Sequence, residues 1–483
     1  MELTVLIALL AYLAACFWIG KGRPKETDES DFFLAGRKLG AFRAGGSLAA
    51  TVLSGSTFLA GSAFCYSRGL VGVWYNLAGG VCLILLGLTI AGRVRAAGCF
   101  TLPELAGQAY GLRVRWGASA VVVAAEIAWM ALLIRAQTAV LETLTTLPAV
   151  PLTLAITAVL VAYTMSGGQR GVVSSDLFQL GLILIGTLTL MLATWNDAAA
   201  ALRSGPPARS AFPLAPGFGV VDAIAIFALL GLPHWVGSDV YSRLLSARDA
   251  AAARRAALLA GAVKCLVAGA IAVFGLAAAH LFPRLGNPDH TLPLLVRRAL
   301  PEPLSILLLL ALLAVLMSTA STVLLTGATV VARDLLGGRA KDRRSPAGSC
   351  RRSPAGSAVR RARFAMLGLS AAAAAIAMHF GQILPIVFLG YTLFASGLTL
   401  PILASFLPPR FRPSPGAALA AIASGSATAL LLQLGSGAGD SNVLVGLSAS
   451  GLVLIAFALW GLAAGRGNRE AATVSEGVRQ AAR

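Results

Sequence analysis

Charged side chains are scarce in this sequence: Asp, Glu, Lys and Arg make up 12% of its 483 residues, against roughly 25% in soluble domains. That shortage excludes an ordinary water-soluble globule. Acids are scarcer than bases, 20 against 39, yet the resulting net charge of +19 does not describe a nucleic-acid surface. The Lys and Arg residues fall in short segments between apolar runs, where they orient a chain in a bilayer. Cysteine occurs six times, at Cys16, Cys65, Cys82, Cys99, Cys265 and Cys350, scattered and mostly within apolar runs. No Cys or His pair has metal-ligand spacing, and no disulfide framework is readable. A membrane-embedded enzyme needs converging nucleophile, base or metal groups, but His234, His280, His290 and His379 are scattered without a motif. A sensor or receptor would carry a soluble output domain, and the polar tail after Gly465 is too short for one.

What the sequence has in abundance is apolar length. Hydrophobic residues make up 57% and the mean hydropathy is +0.80, so the fold class is an all-α polytopic membrane protein. Thirteen runs are long enough to cross a bilayer. They cover roughly 2–20, 41–66, 71–92, 116–144, 149–165, 172–194, 219–242, 256–282, 304–330, 364–381, 383–407, 415–435 and 443–464. The first lacks a preceding basic residue and a cleavage site and reads as a retained span rather than a signal peptide. Residues 1–465 therefore form a single transmembrane domain. With the N-terminus outside, the inner connections hold 30 Lys and Arg and the outer ones hold 6. This bias predicts N-out and C-in. The connection 342–357 repeats RRSPAGS on either side of Cys350 and reads as a disordered basic cytoplasmic loop. Residues 466–483 read as a cytoplasmic tail.

The second run is unusual at its middle. Residues 47–70, SLAATVLSGSTFLAGSAFCYSRGL, place Thr51, Ser54, Gly55, Ser56 and Thr57 together, followed by Gly61, Ser62 and Ala63. Small hydroxylated residues leave the backbone bare, so carbonyls beside a break can face an ion or solute. The same composition serves a close helix–helix contact. The seventh run carries Gly231-Leu232-Pro233 at its centre, where a break or kink is expected. It lies five spans after the second, the offset of a five-plus-five inverted repeat. In the ninth run, Val315, Ser318, Thr319 and Thr322 share one helix face. Their oxygens suit a hard cation, or bond back to their own helix.

Ionisable residues within the runs are few, and such residues usually face a cavity or a partner. Glu126 and Arg135 are nine positions apart and point to different faces, so they do not pair with each other. Asp176 sits among Ser174, Ser175 and Gln179. Asp222 begins the seventh run, Asp239 and Arg243 end it, and Lys264 lies in the eighth. Asp222 and Arg243, being terminal, reach the interface on this reading.

These stretches together resemble the sodium:solute symporter family, nearest to its proline and pantothenate branch. DFFLAGRKLG (31–40) resembles the segment before the family's first core helix, and SGSTFLAGSAFCYSRGL (54–70) resembles that helix. YTMSGGQRGVVSSDLFQLGLILIG (163–186) is similar to its Gly-Gly, Asp and Gln signature. LMSTASTVLLTGATVVARDL (316–335) is similar to its Ser-Thr helix, and GLPH (231–234) and RLLSARD (243–249) extend the likeness.

The resemblance implies a LeuT-type core with repeats at roughly 41–242 and 256–407. It also implies a sodium site made by the main-chain carbonyls of Ala50, Leu53 and Val315 with the hydroxyls of Ser318 and Thr319. Asp176 matches an acid implicated in sodium release. Val52 stands where the proline-carrying branch has Asp. The implied activity is sodium-coupled uptake of an amino acid, a carboxylate or vitamin precursor, or a sugar, by alternating access in a bacterial cytoplasmic membrane. With no carboxylate at the second span's centre, sodium is preferred to a proton as the coupling ion. Ser54, Thr57, Trp74, Asn76, Trp129 and Trp235, polar or aromatic near the breaks, are expected to meet the solute. Arg135 is expected to pair with a solute carboxylate or with a carboxylate of the protein.

Overall fold

The computed structural model describes residues 28–142, 147–337, 356–379, 383–435 and 442–460, with a few positions between 11 and 19. The first expected span therefore falls almost wholly outside the described residues. The tail 466–483 falls outside them too, as does all but the end of the 342–357 loop. Among the described residues, nine helices are long and apolar enough to cross a membrane, and the shorter apolar helices Ala149–Ala162 and Leu389–Ser405 join them.

The second expected span is two helices, α1 (Ala41–Val52) and α2 (Gly61–Arg68), separated by Leu53–Gly55 and a wide π-type turn at Ser56–Ala60. Leu53 leaves the helical region with φ −85° and ψ 54°, so the break predicted from the Ser and Gly cluster is present. α3 (Trp74–Thr89) and α4 (Leu112–Glu142) follow. Helix α5 (Ala149–Ser204) contains both the fifth and the sixth expected spans. Its two arms meet at Gly168, whose φ of +52° and ψ of −161° only glycine adopts at low cost. A Cβ there would also stand 2.9 Å from the carbonyl oxygen of Phe32.

The seventh span corrects one expectation. It comprises α6 (Val220–Ile226), a wide turn at Phe227–Gly231, α7 (Leu232–Val236) and α8 (Ser238–Ser246). Pro233 lacks an N–H, and the turn before it widens instead of parting. The chain becomes extended at Gly237, with φ −60° and ψ 139°, four residues beyond the expected place. This break precedes α8 and leaves Ser238 and Asp239 at its first turn.

The remaining helices are α9 (Ala250–Leu281), α10 (Glu302–Val330), α11 (Ser357–His379), α12 (Ile383–Ser405) and α13 (Pro415–Gly435). Asp249 starts α9 by accepting the Ala252 N–H at 2.7 Å. The Ala- and Gly-rich α9 packs against α1, α3 and α5, while α10 packs against α4 and α5. α1 packs on both α9 and α10, and α8 packs on α1, α9 and α10.

Candidate functional site

Two seams converge on the break after α1. From α10, the Thr319 hydroxyl donates to the Thr51 carbonyl at 3.1 Å and to the Val315 carbonyl at 3.2 Å. Ser318 donates to the Val315 carbonyl at 3.0 Å. A hydroxyl that donates its proton keeps lone pairs for a cation, so back-bonding and ion coordination do not exclude each other here. Ala50, Leu53, Val315, Ser318 and Thr319 are all buried. The α1 end and the hydroxyl face of α10 are one hydrogen bond apart. Oxygen donors without a carboxylate suit a monovalent hard cation.

From α9, Lys264 reaches the same break on its other side. Its Nζ donates to the Val52 carbonyl at 2.7 Å and to Thr57 Oγ1 at 3.1 Å. Room for its stem comes from α3, since a Cβ on Gly79 would sit 2.7 Å from Lys264 Cε.

A cavity opens beside the break. Its polar wall includes Ser54, Ser56, Trp129, His234, Asp239 and Tyr391, with Thr51 and Thr319 at its edge. Trp129 packs at 5.1 Å on Tyr391 and at 5.3 Å on Phe394, and its indole N–H is buried without a partner among the described residues. His234 donates from Nδ1 to the Leu230 carbonyl at 2.7 Å.

Of the residues expected to meet the solute, Ser54 and Trp129 line this cavity. Thr57 donates to the Val52 carbonyl at 2.9 Å, and Asn76 to the Thr57 carbonyl at 3.0 Å, so both brace the break. Trp74 donates to the Pro213 carbonyl and stacks on Phe212. Arg135 pairs with Glu142 at 3.2 Å. Trp235 is half-buried with a bare indole N–H and lies outside the cavity wall.

Asp176 is wholly buried and bonded. Ser47 Oγ donates to its Oδ2 at 2.5 Å, and Arg243 Nη2 lies 3.1 Å from the same oxygen. Arg243 also donates to Thr322 at 2.5 Å, to Ser47 at 2.7 Å and to Thr51 at 3.4 Å. Thr322 in turn bonds the Ser318 carbonyl at 3.1 Å, so Asp176 connects to the α10 hydroxyl face through Arg243. Arg243 does not reach the interface as its terminal position suggested; its exposure is 0%. Asp222, by contrast, accepts the Gly219 N–H at 2.7 Å at the start of α6.

At the Arg-rich end, outside the spans, Arg170 pairs with Asp31 at 2.5 Å. Arg333 pairs with Glu29 and lies 3.7 Å over the Phe100 ring. Cys99, in the connection beside it, has its thiol pushed up to about 12, chiefly by burial.

At Gly55 a neighbouring side chain lies close against the bare backbone. A Cβ there would meet Leu316 Cδ2 at 1.7 Å. Gly55→Leu is expected to abolish transport while the protein still reaches the membrane, because α1 and α10 can no longer close. Uptake normalised to membrane protein measures this, and near-normal uptake would mean the Ser and Gly cluster is ordinary packing.

A family model described as the sodium:solute symporter family matches residues 32–407. A sodium/pantothenate symporter from Escherichia coli (strain K12) is 26% identical over 367 residues, covering 69% of this chain and 73% of that protein. A sodium/glucose cotransporter from Vibrio parahaemolyticus is 24% identical over 357 residues, covering 65% and 64%. Among solved structures, a Na+-coupled sialic acid symporter in a substrate-bound outward-open state aligns with a TM-score of 0.76 at 17% identity, over 93% of this chain and 96% of that one. The architecture is the LeuT-type fold.

Proposed function

This chain belongs to the sodium:solute symporter family, and from that membership we propose how its parts divide the work of sodium-coupled uptake. It is a multi-pass membrane transporter rather than an enzyme, and its coupling ion is sodium. In our reading the ion sits between α1 and α10, held by the carbonyls of Ala50, Leu53 and Val315 and the hydroxyls of Ser318 and Thr319. The observation that carries this is the Thr319 hydroxyl on the Thr51 carbonyl at 3.1 Å. It joins the two helices at the point where backbone oxygens are freed.

Sodium there ties α1 to α10 and so favours the form in which the neighbouring cavity is shaped. Each ligand then raises the affinity for the other by the same factor. Asp176, one residue removed from the α10 face through Arg243, draws the departing ion toward the cytoplasm. Rocking of the broken helices against α4, α5 and α10 exposes the sites alternately. The N-terminus lies outside, in a bacterial cytoplasmic membrane.

The solute we propose is a small molecule bearing hydroxyl and amide groups, of the pantothenate kind. Asp239 and the Ser54 and Ser56 hydroxyls accept its donors, and the bare Trp129 indole N–H meets an acceptor. The 26% identical relative is named for pantothenate. Proteoliposomes holding the purified carrier, offered labelled pantothenate, glucose, proline and sialic acid with and without a sodium gradient, test this. Sodium-driven accumulation of pantothenate is expected. Accumulation of another solute alone would redirect the substrate, and accumulation driven equally by potassium would remove sodium from its role.

A further inference from the structure

Helix α8 is fastened to the scaffold at two places, and only one is balanced in charge. At the lower one Arg243 answers Asp176. At the upper one Ser238, the first residue after the Gly237 break, donates to Oε1 of Glu126 on α4. Among the described residues Oε2 of that carboxyl has no hydrogen-bond partner, and Glu126 is 2% exposed. α10 presents Gly327, where a Cβ would stand 3.3 Å from Glu126 Cβ, and Leu369 of α11 is 3.2 Å from the same point. The titratable groups facing it are Asp239 on α8 and Tyr391 on α12. No Lys, Arg or His lies within 4 Å of Glu126 among the described residues. Arg243, already paired with Asp176, and Lys264 are the cations whose fields reach Asp239, so beyond that pair one base stands against two acids.

A carboxylate buried with one oxygen bare, and with another carboxylate as its nearest charge, is among the least favourable arrangements in a protein interior. A proton on Oε2 removes the charge and restores the balance with Lys264. The Ser238 bond to Oε1 is unaffected by it. We propose that Glu126 is a proton-binding site, loaded while Ser238 holds α8 on α4 and emptied when α8 swings away. Water then reaches Oε2, the O–H bond breaks heterolytically, and the proton passes to that water. Asp239, which lines the cavity, offers the path by which Glu126 is reloaded. Sodium and the proton would thus favour the same closed form, a linkage that rests on the sodium assignment made above, whereas proton binding itself does not.

Infrared spectroscopy of the purified carrier in lipid, with sodium present at neutral pH, tests the binding. A carbonyl-stretch band of a protonated carboxyl group should be present in the wild type and in Asp239→Asn, and missing in Glu126→Gln, which preserves shape and hydrogen bonding. The linkage is read by adding sodium to the carrier in weakly buffered solution. Uptake of up to about one proton per carrier is expected, and none in Glu126→Gln. Tryptophan fluorescence follows sodium binding in parallel. No band sensitive to Glu126→Gln would mean an ionised glutamate and overturn the proposal. So would sodium binding without proton uptake, or with equal uptake in the variant, since the proton would then be a fixed one. If fluorescence shows no sodium binding at all, the sodium assignment falls and the infrared band alone decides the proton site.

Discussion

Arg243→Met is expected to lower the stability of the carrier by about 3–5 kcal/mol, the range found when one partner of a buried ion pair is removed. Asp176 would remain with the Ser47 hydroxyl, because its Oδ1 already has no partner among the described residues. The hydroxyls of Ser47, Thr51 and Thr322 would each lose the donor that gathers α1, α8 and α10 around one guanidinium. The double exchange Asp176→Asn with Arg243→Met should recover much of the loss, since no bare charge is then left in the interior. Melting of the purified protein in detergent, taken through the full double-mutant cycle, measures the coupling. Equal stability of Arg243→Met and the wild type would mean that a different cation holds Asp176. Asp176→Asn alone keeps shape and one acceptor. It should therefore slow turnover and alter the sodium response while solute affinity at saturating sodium stays nearly intact. A purely structural aspartate would lower abundance without changing turnover per folded molecule.

Periodicity along one chain reports which residues share a face, and that much of the fold was legible. The Ser and Gly cluster at 54–57 marked a true break, and the Val315, Ser318, Thr319 and Thr322 face does meet it. Position within a run says less about depth, because a span can tilt or be interrupted. Arg243 looked like an interface residue from its distance to the run's end. Yet α8 begins only at Ser238, and the break before it turns that residue inward. Pro233 drew attention four residues away from Gly237 because proline is conspicuous, whereas a glycine that goes extended carries no pattern of its own. The same limit applies to the residues expected to meet the solute. Trp74 and Arg135 have suitable chemistry but find local partners in Pro213 and Glu142. Tyr391 and Asp239 reach the cavity from helices whose contact with α1 no sequence spacing reveals.

Thr319→Ala should raise the sodium concentration for half-maximal uptake by at least about tenfold, equivalent to about 1.4 kcal/mol. The site is closed, so water cannot readily replace a lost oxygen ligand of a hard cation. Thr319 should matter more than Ser318 for a geometric reason. Ser318 bonds only within α10, while Thr319 also spans to the Thr51 carbonyl. Its loss therefore removes both a ligand and an interhelical hydrogen bond, the latter worth about 0.5–1.5 kcal/mol net. Thr319→Ser separates the two contributions from simple packing, because it keeps the hydroxyl and deletes only the methyl. Near-normal sodium dependence is expected for that variant, and a smaller rise than Thr319→Ala for Ser318→Ala. Sodium titration of uptake at saturating solute, on protein normalised for abundance, reads all three. If Thr319→Ala and Ser318→Ala both leave the half-saturating concentration unchanged, the ion is not held between α1 and α10. The Thr319 bond to the Thr51 carbonyl would then be a structural strap alone.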